Sequence, residues 1–432
     1  MTVHTDGLPH ASPEEEQSLQ LLLSFVPKRI DAVYTPSTAG QPPLDTLSRL
    51  DSIHYGDVFD SGVAGERVQV RLRGTYTSMP VAELDDFLVR RTLPASATDR
   101  DIEALRTAWS DLQAHEALDR DVFLTTEPSL MRYRQSVGAA CEVWILSVNE
   151  ALDYFETVAK GEGQYFFNSL VTTDRWTYYD ERTNQLVPTL DRVWRAVTHW
   201  DDPARDNVLE YVVSLHTRLR YLMEARDRIG YLYYTSSDLG ANDAVLYHLN
   251  YLFLLTTAVF DNLAWILNYL CNLGLDRKQV DLRLEAFTNR IPKSFRDLVA
   301  SRESLLDVFY RTRHSVAHRV VMWGIGFRDR ETGGGTNLVE IGDDLAGAIQ
   351  TVDSPAPSQP YSNWGLTWVG PAPLLEPYRF ATCSVREVVG LVGEFAGLVL
   401  ADETVGCDVA AESEKTRNSF PKFAIPFFRA IV

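Results

Sequence analysis

Leu305-Leu306-Asp307-Val308-Phe309-Tyr310-Arg311-Thr312-Arg313-His314-Ser315-Val316-Ala317-His318-Arg319 joins an apolar run to a dense group of arginine and histidine. Apolar residues three and four apart give one face of a helix, so this stretch is expected to be helical over about 301–320. The same spacing recurs outward from it and predicts helices near 130–160, 205–233, 243–273 and 278–290, with a closing helix over about Ser384–Leu400. The expected fold class is therefore mainly α.

Leu249–Cys271 is the most membrane-like segment, but Asn250, Asp261, Asn262 and Asn268 interrupt it. A central Asp costs about 2.5–3.5 kcal/mol in lipid, so a buried helix and no membrane contact are expected. Between the first two long helices, Gln164–Leu186 is rich in aromatics, and Thr183-Asn184 is expected to turn a short hairpin there. Beyond the opening stretch, Gly324, Gly326 and Gly333-Gly334-Gly335 separate β-prone pieces at Asn337–Ile341 and Tyr361–Val369. No Gly-Lys-Ser/Thr follows the glycine run, so it reads as a hairpin turn rather than a phosphate loop.

The N-terminal part alternates in character. Pro13-Glu14-Glu15-Glu16 opens an apolar-periodic stretch to about Val33 with the acidic first turn of a helix, and a Pro- and Ser-containing loop follows over Pro36–Pro43. Val68, Val70 and Leu72 alternate with Arg71 and Arg73, which predicts one strand over Arg67–Thr77 with a wet face. Helices are expected near 81–91 and 99–118. Pro421 and Pro426 argue against a long terminal helix. The expected divisions are an N-terminal region of mixed helix and strand over 1–127, a helix with an aromatic insertion over 128–204, a helical bundle over 205–405 carrying a β-prone insertion at 320–370, and a tail over 406–432.

The chain has 432 residues and 59 acidic against 41 basic groups, a formal net charge of -18 that opposes non-specific nucleic-acid binding. From Arg283 to Arg319 the balance reverses, with Arg283, Arg290, Lys293, Arg296, Arg302, Arg311, Arg313 and Arg319 outnumbering Glu285, Asp297, Glu303 and Asp307. Any RNA contact is therefore expected to be local to this patch. Cys141, Cys271, Cys383 and Cys407 form no C-x-x-C pair, and Met1–Pro13 lacks a basic region followed by an apolar run. A cytoplasmic location is the expectation.

H-E-x-x-H, G-x-S-x-G and protein-kinase signatures are absent from the sequence. His314 and His318, four apart, would share a helix face as metal ligands must. A third ligand is not evident and the neighbouring arginines repel a cation, so neither metal nor cofactor is expected.

Phe309–Arg319 resembles the R-x(4–6)-H signature of the HEPN superfamily: Arg313, a polar residue after it, a small residue before His318. The resemblance implies an antiparallel helix bundle, commonly dimeric, whose catalytic members cut RNA without metal. It covers about Asp206–Ala401, with the helix of Asp243–Cys271 as its core. It further implies that His318 moves the proton, that Arg313 stabilises the phosphate, and that His314 assists. These residue types suit the chemistry, because His titrates near neutral pH and the Arg fork binds phosphate bidentately while staying charged. Five residues span about 140° of an ideal helix, so Arg313 and His318 share a face only if the arginine curls or the helix starts at the motif. Arg311, His314, Ser315 and His318 do share a face, which makes Arg311 a partner or substitute for Arg313. Asp261, midway along the core helix, is the expected supporting carboxylate for Arg313 or His318, or else a structural acceptor. The function implied is a metal-independent endoribonuclease acting as a homodimer, in a toxin or antiviral role. The alternative is a non-catalytic binding or dimerisation module with a protein partner or inhibitor.

Overall fold

Helices make up most of what the computed structural model describes, namely residues 2–3, 33–34, 60–64, 67–72, 75–80, 93, 97–117, 122–141, 143–166, 172–235, 239–318, 322–328, 335–353, 362–369 and 371–401. The fold is mainly α. The helix expected from Pro13, the loop at 36–43, the helix at 81–91 and the tail with Cys407, Pro421 and Pro426 lie outside those residues, as do Gly333 and Gly334. The described residues fall into two compact units, one running to Glu156 and taking in 326–336, the other holding Thr157–Ile325 and the chain from Asn337 onward.

In the first unit, strands β1 (Thr2–Val3), β2 (Val33–Tyr34), β6 (Val122–Leu124) and β7 (Trp144–Leu146) form a parallel sheet in the order β2-β1-β6-β7. Val122, Phe123 and Leu124 are all buried. An unbroken apolar run of this kind marks a strand covered on both faces. Helices α1 (Asp99–Ala117) and α2 (Pro128–Ala140) share a core with it through Leu105, Leu112, Phe123, Leu130, Val137 and Ile145. Thr98 and Asp101 form a capping box on α1: the Thr98 amide donates to the Asp101 carboxylate at 3.0 Å, and the Asp101 amide donates to Thr98 Oγ1 at 3.3 Å. Asp101 also accepts from Ser129 Oγ at 3.0 Å and Tyr133 Oη at 3.1 Å, which ties α1 to α2.

Two expectations fail in this unit. The single strand over 67–77 is instead two, β4 (Arg67–Leu72) and β5 (Thr75–Pro80), in a meander with β3 (Asp60–Ala64). The helix over 130–160 is likewise broken, because β7 intervenes between α2 and α3 (Val148–Gly161). Short apolar runs such as Trp144-Ile145-Leu146 satisfy either period, and sheet pairing decided here. Gly138 permits the fold-back, since the Val143 amide donates to the Gly138 carbonyl at 3.0 Å and a Cβ at Gly138 would stand 2.7 Å from the Val143 oxygen.

The second unit is built on α6 (Arg205–Thr235) and α7 (Leu239–Leu270), long neighbouring helices whose described segments are three residues apart in sequence. A connection that short makes them antiparallel. Leu249, Leu252, Phe253, Val259, Phe260, Leu263, Leu267 and other apolar residues of α7 are buried. By length and composition α7 could cross a membrane, yet 67% of its most apolar window is buried within the protein. Two of its polar interruptions have structural partners: Asn262 accepts from Arg218 at 2.6 Å, and Asn268 accepts from the Leu275 amide at 3.1 Å beyond the helix end, where Asn272 adopts φ 49. Helix α12 (Pro377–Ala401) packs on α6, α7 and α5 (Pro188–His199), and α10 (Glu303–His318) packs on α7.

Several boundaries here also differ from expectation. The hairpin at Thr183-Asn184 is absent, because both residues lie inside α4 (Arg175–Leu186). Asp174 caps that helix by accepting from the Thr177 amide at 3.0 Å, and the hairpin sits earlier, at β8 (Tyr165–Phe166) and β9 (Thr172–Thr173). Over 278–290 only α8 (Glu285–Thr288) forms, since Asp276 and Asp281 accept from the amides of Lys278 and Arg283, both at 2.9 Å, and bend the chain. A separate helix, α9 (Lys293–Ser301), follows. The segment after the motif forms a sheet in the order β10-β11-β13-β12 from β10 (Trp323–Arg328), β11 (Gly335–Glu340), β12 (Leu366–Val369) and β13 (Ala372–Leu375), and it also contains helix α11 (Asp343–Val352). The closing helix begins seven residues before Ser384, with the Arg379 amide donating to Glu376 Oε1 at 3.3 Å.

A buried ionic cluster joins four helices of this unit. Asp227 on α6 accepts from Lys160 Nζ of α3 at 2.6 Å and from Tyr179 Oη of α4 at 2.9 Å, with Arg226 Nε 3.2 Å away. Arg226 donates to Tyr378 Oη of α12 at 3.1 Å. All five residues are buried. Gly230 on α6 makes the approach possible, because a Cβ there would come within 2.4 Å of the Tyr378 ring.

Candidate functional site

The Arg/His segment occupies the last turns of α10, a helix that begins at Glu303 with its acidic residue in the first turn. Leu305, Val308, Phe309 and Thr312 are buried, and Phe309 packs against Phe260 of α7 with ring centroids 5.9 Å apart. Phe309 also meets Trp364 at 6.2 Å and Phe380 of α12 at 6.2 Å. These contacts fix the rotation of the helix. They leave Tyr310 and Arg313 on the side toward Asp261 of α7.

Tyr310 Oη donates to Asp261 Oδ1 at 3.4 Å, and Arg313 Nη1 stands 3.9 Å from Asp261 Oδ2. Arg313 is 47% exposed, so its guanidinium is held near the carboxylate by charge rather than locked by a short hydrogen bond. Partial burial pushes Asp261 above the usual carboxylate range, against the opposing pull of Arg313. Burial, and then the neighbouring charge of Asp261, pushes the Tyr310 phenol upward too, so it remains a neutral donor.

Two further arginines lie close enough to Asp261 for their charges to act on it. Arg283 lies over the Tyr310 ring, 3.6 Å from its centroid, and donates to Asp281 Oδ2 at 2.8 Å. Arg218 of α6 donates to Asn262 Oδ1 at 2.6 Å and to the Ala258 carbonyl. One and two turns further along α7 lie Trp265 and Tyr269; Trp265 stacks on Tyr211 of α6, with centroids 5.6 Å apart at 10°, and on Tyr269. This aromatic cluster lies on the same two helices, α6 and α7, that carry Arg218 and Asp261.

Arg311 does not join this group. It points along its own helix to Asp307, with Nε 2.6 Å from Oδ2, and is exposed. The helix is continuous from Glu303 to His318, so it does not start at the motif, and positions 313 and 318 keep the roughly 140° separation of an ideal helix. The side chains of His314 and His318 lie outside the described residues. Elsewhere in the basic stretch Arg302 is matched by Glu387 at 3.4 Å and by Glu394, both on α12. The sequence's local charge excess is therefore partly neutralised by partners distant in the chain.

Sequence reasoning singled out Arg313 and Asp261 and counted Arg283 within the basic patch, but gave no part to Tyr310, Arg218 or the Tyr211–Trp265–Tyr269 cluster. Trp265 and Tyr269 do fall four and eight residues after Asp261, a helix-face signal that was available. The positions of Arg218 and Arg283 depend on tertiary packing. No family model matches the chain, and neither a curated protein nor a solved structure matches it.

Proposed function

We propose that this chain is a metal-independent endoribonuclease of HEPN type, with an antiparallel bundle of α6, α7, α10 and α12 as its HEPN-like core and the β10–β13 segment as an insertion. The observation that carries the reading is the half-exposed Arg313 held at Asp261, on the same helix as His318, with the charges of Arg218 and Arg283 also acting on Asp261. In this reading Arg313 takes the scissile phosphate, His318 moves the proton of the ribose 2′-hydroxyl, and His314 assists. Asp261 and Tyr310 position Arg313. The cut proceeds through attack of the 2′-oxygen on the adjacent phosphorus and breaking of the bond to the 5′-oxygen, which takes up a proton and leaves as a 5′-hydroxyl, with a 2′,3′-cyclic phosphate on the other fragment.

The angular offset between Arg313 and His318 favours a site completed by a second copy. Tyr247, Tyr251 and Leu254 form an exposed stripe on α7, and their helical face continues to Asp261 and Trp265. A homodimer packed on this stripe would bring two Asp261–Arg313 pairs toward each other. The same stripe favours the second reading, a non-catalytic binding or dimerisation module with a protein partner.

Cleavage of a mixed RNA pool in EDTA separates the two. Wild type should cut and leave 2′,3′-cyclic ends, whereas His318→Ala and Arg313→Ala, with unchanged circular dichroism, should each lose at least 100-fold in rate. Retained cutting by His318→Ala removes that residue from the mechanism. An absence of cutting at concentrations where the dimer is demonstrated selects the binding module.

A further inference from the structure

A cleft of about 700 Å³ opens among α4, α5 and α6, away from the Arg/His segment of α10. That volume suits a small organic ligand. Its walls carry Trp176, Trp194, Tyr221, Arg220, Asn184 and Asp180. Arg220 lies against Trp176, with Cζ 4.7 Å from the ring centroid, and is 5.8 Å from the Tyr221 centroid. Its Nε is buried and has no hydrogen-bond partner among the described residues. No carboxylate pairs with Arg220 among the described residues, so an anion entering the cleft would meet an uncompensated guanidinium in its wall.

The other cation–carboxylate contacts of the cleft are already made. Arg195 pairs with Asp191 at 2.8 Å, one turn apart on α5. His216 is buried, contacts Asn184 Oδ1 at 3.1 Å and Asp180 at 3.7 Å, and packs edge-on to Trp194 with centroids 5.4 Å apart. Burial holds this imidazole below its ordinary range, with the Arg220 charge acting in the same direction and Asp180 and Asp191 opposing it. His216 is therefore neutral at pH 7 and does not compensate Asp180. The wall presents one arginine without a carboxylate partner among the described residues, one carboxylate able to accept from an N–H, and indole faces on which a ring can lie.

We infer that this cleft binds a planar aromatic molecule bearing an anionic group, the anion on Arg220 and the ring against the tryptophans, with a ring N–H or amino group directed to Asp180. Nucleoside monophosphates and indole carboxylates share that chemistry. The inference is independent of RNA cleavage at the α10 segment.

Titration calorimetry of the full chain with AMP, indole-3-acetate, adenosine and inorganic phosphate tests it. One of the first two should bind saturably with one site per chain, identifying the anion's source, while adenosine and phosphate alone bind at least tenfold more weakly. Arg220→Gln should weaken that ligand at least tenfold. Trp176→Leu, at a position 56% exposed and tolerant of substitution, should weaken it severalfold with unchanged thermal stability. No saturable binding of AMP or indole-3-acetate at millimolar concentration, phosphate alone binding as tightly, or affinity unchanged in both variants would each overturn the inference.

Discussion

Asp227→Ala tests whether the buried ionic cluster holds the helical unit together. In the wild type, Asp227 Oδ2 accepts at 2.6 Å from Lys160 and at 2.9 Å from Tyr179, and Oδ1 lies 3.2 Å from Arg226 Nε. Removing the carboxylate takes the acceptor from the buried Lys160 ammonium and the buried Tyr179 phenol and removes the negative charge beside Arg226. Loss of one member of a buried pair costs about 3–5 kcal/mol, and an unsatisfied hydroxyl adds roughly 1–3 kcal/mol where no other acceptor is found. Even the lower bound is a large share of a typical folding free energy of about 5–15 kcal/mol.

Because the chain has two compact units, a single melting curve is a poor measure of this loss. Hydrogen exchange of the α6 backbone read by mass spectrometry reports opening of the unit that contains the cluster. Protection of the slowest α6 amides should fall by about 10²–10⁴-fold in Asp227→Ala, as 3–5 kcal/mol requires at 1.4 kcal/mol per factor of ten. The exposed pair of Arg311 and Asp307 is the contrast, worth about 0.3–0.5 kcal/mol, so Arg311→Ala should leave protection nearly unchanged. A loss below about tenfold in Asp227→Ala would refute the reasoning and mean that water reaches the cluster.

Two further outcomes follow from packing and charge. Gly230→Ala should destabilise by about 1–3 kcal/mol in the same exchange measurement, because the added Cβ meets the Tyr378 ring at 2.4 Å and Thr157 Cγ2 at 2.8 Å; equal or greater protection would show that the gain in helix propensity, up to ~1 kcal/mol, prevails. Asp101 is lowered from 3.8 to about 2: burial raises it, but the bonds from Thr98, Ser129 and Tyr133 outweigh that. Its folded value is the depressed one, so its stabilising contribution is complete above pH 3.8 and is lost as pH falls through about 2. The urea midpoint of the unit that contains Asp101, read from exchange of the α1 amides, should therefore differ between wild type and Asp101→Asn most above pH 4 and converge toward pH 2, and a constant difference across that range would reject the assignment.

The sequence by itself determined the long helices, because Val208 to Tyr233 and Leu249 to Leu270 repeat apolar residues over many turns and no strand satisfies that period. It also placed the Arg313–His318 segment on a helix and singled out Asp261. Only tertiary structure decided that Trp144-Ile145-Leu146 is a strand, since a three-residue apolar run has no period and becomes β by pairing with Val122-Phe123-Leu124. Only tertiary structure, too, set Arg311 on Asp307 and Arg313 at Asp261, and brought Arg218 and Arg283 close enough for their charges to act on that carboxylate. Periodicity reports which face of a helix is buried. Which charged groups meet across two helices depends on their rotation and offset, and here those are fixed by Phe309 packed against Phe260 and Phe380, contacts between residues far apart in the chain.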